Sequence, residues 1–415
     1  MTKTTADAPV ETATPSPQIP TTFEPEGRTV GSALHERLVR RKLFESSITA
    51  VVFVLLFAGF GIWLGNAFFN VPARLLDVHQ NTPILLLALA ALSTLIPGMF
   101  DLSIAGVATL SAFMVIGLRA HQGLPFPAVL AITLGLGIVV GLINGFLVER
   151  LRVSAFIATL GTGGICTGIS AVYSGGTLLT PTVTQPQLPN WFVALGDFGY
   201  KVPSWLVYLA IPVIGATLFV KVDHMRPQAW SRQRWITVKG VFFVLLACLL
   251  IFAFKLSQWI SEMSWMIFVL LVAALCLYIL LEYTTFGRHL RAIGSNRSAA
   301  SLAGVAVRRQ VVKSFTMGAV FAALAGIALA ASQGTASPDA AGSFLLPAFA
   351  AAFLSTVVLS HGRFTVPGTV IGGIFVVWVG LALIIAGLDP TWIPVVNGVI
   401  LVGAVALSTA MRRAS

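Results

Sequence analysis

Long apolar runs follow one another along most of this 415-residue chain. A membrane-spanning helix needs about 20 apolar residues, and twelve runs approach that length. Only 10% of the residues are charged, against about 25% in soluble proteins. Because backbone groups in lipid must pair internally, we predict an all-α, polytopic membrane helix bundle of about twelve transmembrane helices. The twelve runs are 48–69, 82–98, 102–118, 124–148, 153–173, 204–220, 236–258, 263–281, 311–331, 343–359, 366–386 and 392–410.

The basic residues indicate an orientation for this bundle. With the N-terminus in the cytoplasm and alternating spans, 22 of the 26 Lys and Arg residues fall on the cytoplasmic side. This asymmetry is the one that the positive-inside rule requires. It favours an even number of spans and places both termini in the cytoplasm. The basic residues left outside are Arg74, Arg119, Lys201 and Lys255.

Two regions are predicted. Residues 1–45 form a Thr-, Pro- and Ala-rich tail with basic residues near its end, and we expect a disordered cytoplasmic segment. Residues 46–411 form the membrane domain. The net charge of +11 is spread over the ends of apolar runs rather than gathered on one domain, so no nucleic-acid partner is expected.

The basic loop 282–310 contains a predicted short helix. Ser295 or Asn296 is a suitable N-cap and Gly304 a suitable C′ residue, with about eight residues between them. Such a short helix needs a surface to pack against. It either inserts into a groove of a partner protein or forms an interfacial connector whose Arg residues meet anionic lipid. Its predicted exposed side consists of Ala299, Ala300, Leu302 and Ala303.

Polar residues within the apolar runs are the other candidates for function. Asp101 lies between two runs, and an ionisable residue there is a functional candidate. It is also placed to cap a helix beginning at Leu102 by accepting the N–H of Ser103 or Ile104. Single polar residues inside spans more often form interhelical hydrogen bonds than line a path. The candidates for a translocation path or helix break are Asp101, Ser103, Asn144, Thr159, Thr162 and Asn397.

Glycines at a spacing of four residues predict close helix packing. They occur at Gly61 and Gly65, at Gly137, Gly141 and Gly145, and at Gly164 and Gly168. These faces allow the backbones of two helices to approach each other.

Several kinds of site have no counterpart in the sequence. It contains no P-loop motif and no His-Glu-x-x-His motif, and its six His residues lack ligand spacing. The spans also lack the paired acids of a proton-driven transporter. We therefore expect no catalytic residues, no metal site and no cofactor bound by this chain. A transporter of this kind needs a separate source of energy.

Three motifs resemble one family. They are Asp-Leu-Ser at 101–103, Ser-Ala-Phe-Ile-Ala-Thr-Leu-Gly-Thr at 154–162, and the pattern Phe-Gly-Arg, Ala-Ile-Gly-Ser-Asn, Ala-Ala and Gly within 286–304. Together they resemble the permease subunit of bacterial ABC importers for monosaccharides, the ribose/xylose permease family, within the group that includes branched-chain amino-acid permeases. The resemblance covers about residues 48–410. Many relatives have Glu-Leu-Asp where this chain has Leu-Leu-Pro at 345–347, so no role for those acids is carried over.

The resemblance implies a non-enzymatic permease in the bacterial cytoplasmic (inner) membrane. Its partners would be an ABC ATPase that binds ATP and Mg, an extracytoplasmic solute-binding protein, a second permease copy or paralogue, and membrane lipid. The loop 282–310 would then be the coupling loop on which the ATPase docks. The residues that match the family's coupling motif are Gly287, Arg288, Gly294, Asn296, Ala299, Ala300 and Gly304.

Two alternatives remain open at this level. In the first, the chain is a permease for another small polar solute, such as a nucleoside or a branched-chain amino acid. In the second, the chain is an ion-coupled secondary transporter. A membrane-embedded enzyme has no support, because no His, Cys or acidic residues cluster.

Overall fold

The computed structural model describes residues 58–65, 68–208, 256–358 and 363–414. These residues form helices joined by short connectors, with two isolated β-bridges and no strand in the described part of the chain. The helices are α1 (Val71–Gln80), α2 (Thr82–Leu95), α3 (Ser103–Ala120), α4 (Phe126–Glu149), α5 (Ala155–Ser174), α6 (Asn190–Gly196), α7 (Leu256–Ser261), α8 (Trp265–Tyr283), α9 (Thr285–Ser295), α10 (Arg297–Leu302), α11 (Val307–Gln333), α12 (Leu345–Val358), α13 (Val366–Ile385) and α14 (Ile393–Ala414).

Six of the described helices are long and apolar enough to cross a membrane, namely α3, α4, α5, α8, α11 and α13. The pair α1 and α2, bent by 57°, makes a seventh if it counts as one span. The apolar stretches in α12 and α14 are shorter. The helical, polytopic fold is thus confirmed. The predicted spans 48–69, 204–220 and 236–258 lie mostly outside the described residues, so the count of twelve and the location of the termini remain predictions.

Helix α2 lies at the centre of the bundle. Every residue from Thr82 to Leu95 is buried, as expected for a helix that is apolar on all sides. It packs against α11, α12 and α13, while α11 also packs against α3 and α4. The side chains left exposed are therefore on the outer helices, where α4 and α5 are far less buried than α3.

The glycine face of α4 is where α4 and α11 pack together. A Cβ at Gly137 would lie 2.8 Å from the carbonyl oxygen of Ala319, and one at Gly145 would lie 2.8 Å from Val312 Cα. A Cβ at Gly141 would clash with Thr316 Cα. The predicted close approach is confirmed here. At Gly164 and Gly168 of α5 the prediction was wrong within this chain, because no atom lies within 4 Å of a built Cβ.

The connectors are distributed between two ends of the bundle, as alternating spans require. At one end, the His79 ring bonds to Ser264 Oγ at 2.8 Å and to the Gly196 carbonyl at 3.0 Å, and Lys201 pairs with Glu262 at 3.0 Å. The other end holds the last turn of α4, the start of α11 and the segment 284–306. We call this second end the coupling end.

The glycine packing leads to a matched pair of variants on one helix. Gly141→Ala should lower the melting temperature of the purified chain, since its Cβ meets the backbone of α11, and overpacking costs about 1–3 kcal/mol. Gly135→Ala on the same helix has open space around its Cβ and should leave the melting temperature unchanged or raise it. Thermal unfolding in detergent measures both. Equal melting temperatures would show that α4 and α11 do not pack through this face.

Candidate functional site

The predicted short helix of the coupling loop is α10, which has six residues. Asn296 is its N-cap: Oδ1 accepts the N–H of Ala299 at 2.9 Å. Gly304 follows the C-cap Ala303 with a φ of +82°, the left-handed conformation that favours glycine at C′. Both caps are confirmed, and α10 is shorter than the predicted eight residues.

Helix α9, directly before α10, was missed by the sequence reasoning. Its buried residues are Gly287, Leu290 and Ile293, a spacing of three that marks one face of a helix. Gly287 lies against the carbonyl of Leu281, and Gly294 lies against the carbonyl of Ile96, so closely that a Cβ at either position would clash. The signal that would have found α9 is this apolar spacing, interrupted by Arg288 and Arg291. Gly287 and Gly294 therefore allow α9 to pack closely against other segments of this chain.

Helix α10 is attached to the bundle by a small apolar cluster, and this corrects one prediction. Ala300 was expected on the exposed face, but it is only 5% exposed. It belongs to the anchor cluster, whose buried members are Ile293, Ala300, Val307, Val311 and Phe315. A six-residue helix is not stable alone, so one of its faces has to be buried in this way. The surface left free includes Ala299, Ala303 and Leu302, whose side chain is 90% exposed.

An ion pair adds a second attachment. Arg297, the first residue of α10, donates from Nη2 to both carboxylate oxygens of Glu149 at 2.8 and 2.7 Å. The Glu149 side chain is 4% exposed, whereas that of Arg297 is 49% exposed. Since the two residues are 148 positions apart, no motif spacing pointed to this pair. It joins the start of α10 to the end of α4.

The coupling loop also contacts the connector 96–102 between α2 and α3. Met99 packs against the anchor cluster, and Gly294 lies against Ile96. Gly98, with φ +83°, lies in this connector shortly after the end of α2. The N–H of Met99 bonds to the Thr94 carbonyl at 2.9 Å and so closes the last turn of α2. A displacement of the loop would therefore act on the connector directly.

Asp101, at the far end of this connector, anchors a chain of buried hydrogen bonds across three helices. Its Oδ1 accepts from the backbone N–H of Ser103 at 3.0 Å and from Ser103 Oγ at 2.5 Å. Asn144 Nδ2 of α4 donates to Ser103 Oγ at 2.8 Å. Thr162 Oγ1 of α5 donates to Asn144 Oδ1 at 2.7 Å. The predicted hydrogen bond from the Ser103 N–H to Asp101 is confirmed. The helix α3 begins at Ser103 rather than at Leu102, so Asp101 precedes the N-cap Leu102 by one residue.

Thr159 closes the same network from α5, since its Oγ1 accepts the N–H of Leu102 at 3.0 Å. Five of the six polar candidates are therefore brought together. Asn397 is not among them: it lies on α14, which packs against α12 and α13. The second carboxylate oxygen of Asp101 is buried without a hydrogen-bond partner among the described residues. Burial raises the pKa of the Asp101 carboxyl, and the hydrogen bonds from Ser103 oppose this effect.

This site is built from packing contacts, one ion pair and hydrogen bonds. Among the described residues, no group of three or more His, Cys, Asp or Glu side chains is placed to hold a metal ion. Arg288, a residue of the coupling motif, is exposed on α9. The site thus consists of a capped, exposed helix, its two attachments and a buried polar network behind the connector.

The network can be tested by removing its central amide. Asn144→Ala leaves the buried Ser103 hydroxyl and the half-buried Thr162 hydroxyl each without one bond, which should cost about 1–3 kcal/mol and lower the melting temperature. The matched control is Asn397→Ala, which also removes a buried amide but lies outside the network, and it should cause a smaller loss. Thermal unfolding in detergent measures both; an equal loss in the two variants would argue against a network at Asn144.

Comparisons with known proteins cover nearly the whole chain. The fructose import permease protein of Rhizobium meliloti is 26% identical over 387 residues, 91% of each chain. The xylose transport system permease protein of Haemophilus influenzae is 29% identical over 337 residues, 79% of this chain and 86% of the relative. The autoinducer 2 import system permease protein of Salmonella typhi is 26% identical over 376 residues, 91% and 88%. No solved structure matches the chain.

The family comparison matches residues 78–405, which include every helix from α2 to α13, the coupling loop and the Asp101 network. The protein is thus a multi-pass membrane permease, and it belongs to the family described as branched-chain amino acid transport system / permease component.

Proposed function

We propose that this chain is the permease subunit of an ATP-driven importer that carries a monosaccharide across the bacterial cytoplasmic membrane. The observation that carries this proposal is α10, a capped helix with an exposed Leu302, held to the bundle by the anchor cluster and the Arg297–Glu149 pair. Such a helix is suited to receive force from a partner. The fructose and xylose permeases among its relatives support a sugar as the solute.

The ATPase is proposed to bind the exposed face of α10 at the cytoplasmic side. ATP and Mg are held by that partner, and this chain binds no cofactor. The face consists of small side chains around one large apolar one, so the energy of docking would come mainly from burying Leu302. Burial of a Leu side chain contributes about 1.5–3 kcal/mol, enough to make this residue central to the contact.

Transmission follows the contacts already described. Movement of α10 acts on α4 through Glu149 and on α11 through the anchor cluster, and it reaches the connector at Met99. The Asp101 network then joins α3, α4 and α5 through hydrogen bonds among their side chains. Alternating access requires two packed states of such a unit, between which the ATPase shifts the population. Asp101, Ser103, Asn144, Thr159 and Thr162 would thus position helices rather than contact sugar.

A second permease copy or paralogue is proposed to cover α5. This helix presents Ile157 and Leu160, 64% and 54% exposed, beside Gly161, Gly164 and Gly168, whose Cβ positions are open. Small residues next to large apolar ones allow close contact between helices in lipid. The sugar path would then run between two copies.

The end opposite to the coupling end is proposed to receive an extracytoplasmic sugar-binding protein. The segment after α5 exposes Trp191 at 57% and Tyr200 at 58%. Aromatic residues are enriched in protein interfaces, and this side carries few basic residues.

The docking role of α10 can be separated from its attachment. Leu302→Arg should abolish capture of the ATPase and uptake of sugar while leaving the melting temperature unchanged, because the side chain is 90% exposed. Ala300→Arg should lower the melting temperature as well, since its position is buried in the anchor cluster.

The matched control is Leu178→Arg, at an exposed Leu outside the coupling end, which should still capture the ATPase. Pull-down of the ATPase from detergent, uptake in cells and thermal unfolding give the three readouts. Normal ATPase capture by Leu302→Arg would contradict the proposed docking face.

A further inference from the structure

A groove lies between α4 and α11 at the coupling end, beside the Glu149–Arg297 pair. It has a volume of about 650 Å³. Gly145 and Val312, which lie in close contact, are both among its lining residues. The lining combines apolar side chains with exposed basic side chains, and we call the basic side chains the rim. The residues that line it include Leu142, Phe146, Arg150, Arg308, Arg309 and Lys313.

The rim has positive charge that no described acidic residue neutralises. Arg150, Arg308, Arg309 and Lys313 are all exposed, and no acidic side chain among the described residues forms an ion pair with any of them. The one acid in the groove, Glu149, is engaged by Arg297. The first turn of α11 contains no acidic residue either. The groove therefore presents four exposed basic side chains, none of them paired with a described acid, to a ligand.

The apolar wall of the groove continues onto the outer surface of α4. Leu142 and Phe146 are 48% and 53% exposed, and Val139, one turn further into the membrane, is 53% exposed. In a spanning helix these side chains face lipid tails. A ligand that fits both parts has an anionic head at the rim and hydrocarbon chains along α4. An acidic protein surface or a free phosphate would match only the rim.

We propose that this groove binds an anionic phospholipid, with its phosphate among the four basic side chains and its acyl chains on Leu142 and Phe146. Basic pockets between helices on the cytoplasmic side are where such headgroups bind. The proposal depends on the membrane orientation of the bundle and not on the identity of the transported solute. Because Glu149 lines the groove, the lipid would lie next to the attachment of α10.

Native mass spectrometry of the full-length chain tests this directly. The purified protein is titrated with phosphatidylglycerol and, separately, with phosphatidylcholine of the same acyl chains. We expect preferential retention of phosphatidylglycerol. The double variant Arg150→Gln/Lys313→Gln removes one charge at the end of α4 and one from α11. Its affinity for phosphatidylglycerol should fall roughly fivefold per charge removed. Phosphatidylcholine binding should not change.

Two further variants make the outcome decisive. Arg288→Gln removes an exposed charge on α9, outside the groove, and should bind phosphatidylglycerol like the unmodified chain. Arg150→Lys/Lys313→Arg keeps both charges and should do the same, which separates a charge effect from misfolding. Unchanged phosphatidylglycerol affinity in the Gln double variant would overturn the proposal. A second outcome would also overturn it: the Gln double variant keeps its lipid affinity but no longer captures the ATPase in lipid-free detergent. The groove would then be a contact for the ATPase.

Discussion

The burial of one face of a six-residue helix is the interaction on which the proposed transmission of force depends. Helix α10 is too short to be stable by itself, so its position is set by Ala300 in the anchor cluster and by the pairing of Arg297 with Glu149. These contacts attach it to α4 and α11 while leaving Leu302 exposed. A helix that is both fixed and exposed can transmit a displacement, whereas a loosely attached one would absorb it.

Two kinds of interaction join the helices behind α10: close glycine contacts and buried hydrogen bonds. Close glycine contacts, such as that of Gly141 in α4 with Thr316 in α11, bring backbones together without polar side chains. Such contacts suit surfaces that must stay packed. The Asp101 network instead joins α3, α4 and α5 through single hydrogen bonds of defined geometry. Buried polar groups of this kind specify one arrangement and penalise others. The network is therefore the place where two discrete packings of these helices would differ.

Local signals in the sequence predicted local structure well. Asn296 and Gly304 were identified as caps, Asp101 as the acceptor of the Ser103 N–H at the start of α3, and the Gly137 face as a helix contact. Pairings between distant segments were not predictable, because the burial of Ala300 and the partner of Arg297 depend on how α4 and α11 are placed. Helix α9 was missed since its polar residues obscured a three-residue apolar spacing. The polar candidates were recognised singly, and only the fold shows that five of them form one network.

In the proposed function this chain does not drive transport itself, and an ATPase that acts on α10 supplies the energy. The most direct measurement is uptake of labelled monosaccharide by proteoliposomes that contain the purified chain, with and without its ATPase and sugar-binding protein. We expect accumulation only when both partners and ATP are present, and none for the chain alone under a proton or sodium gradient. Accumulation by the chain alone under such a gradient would contradict it.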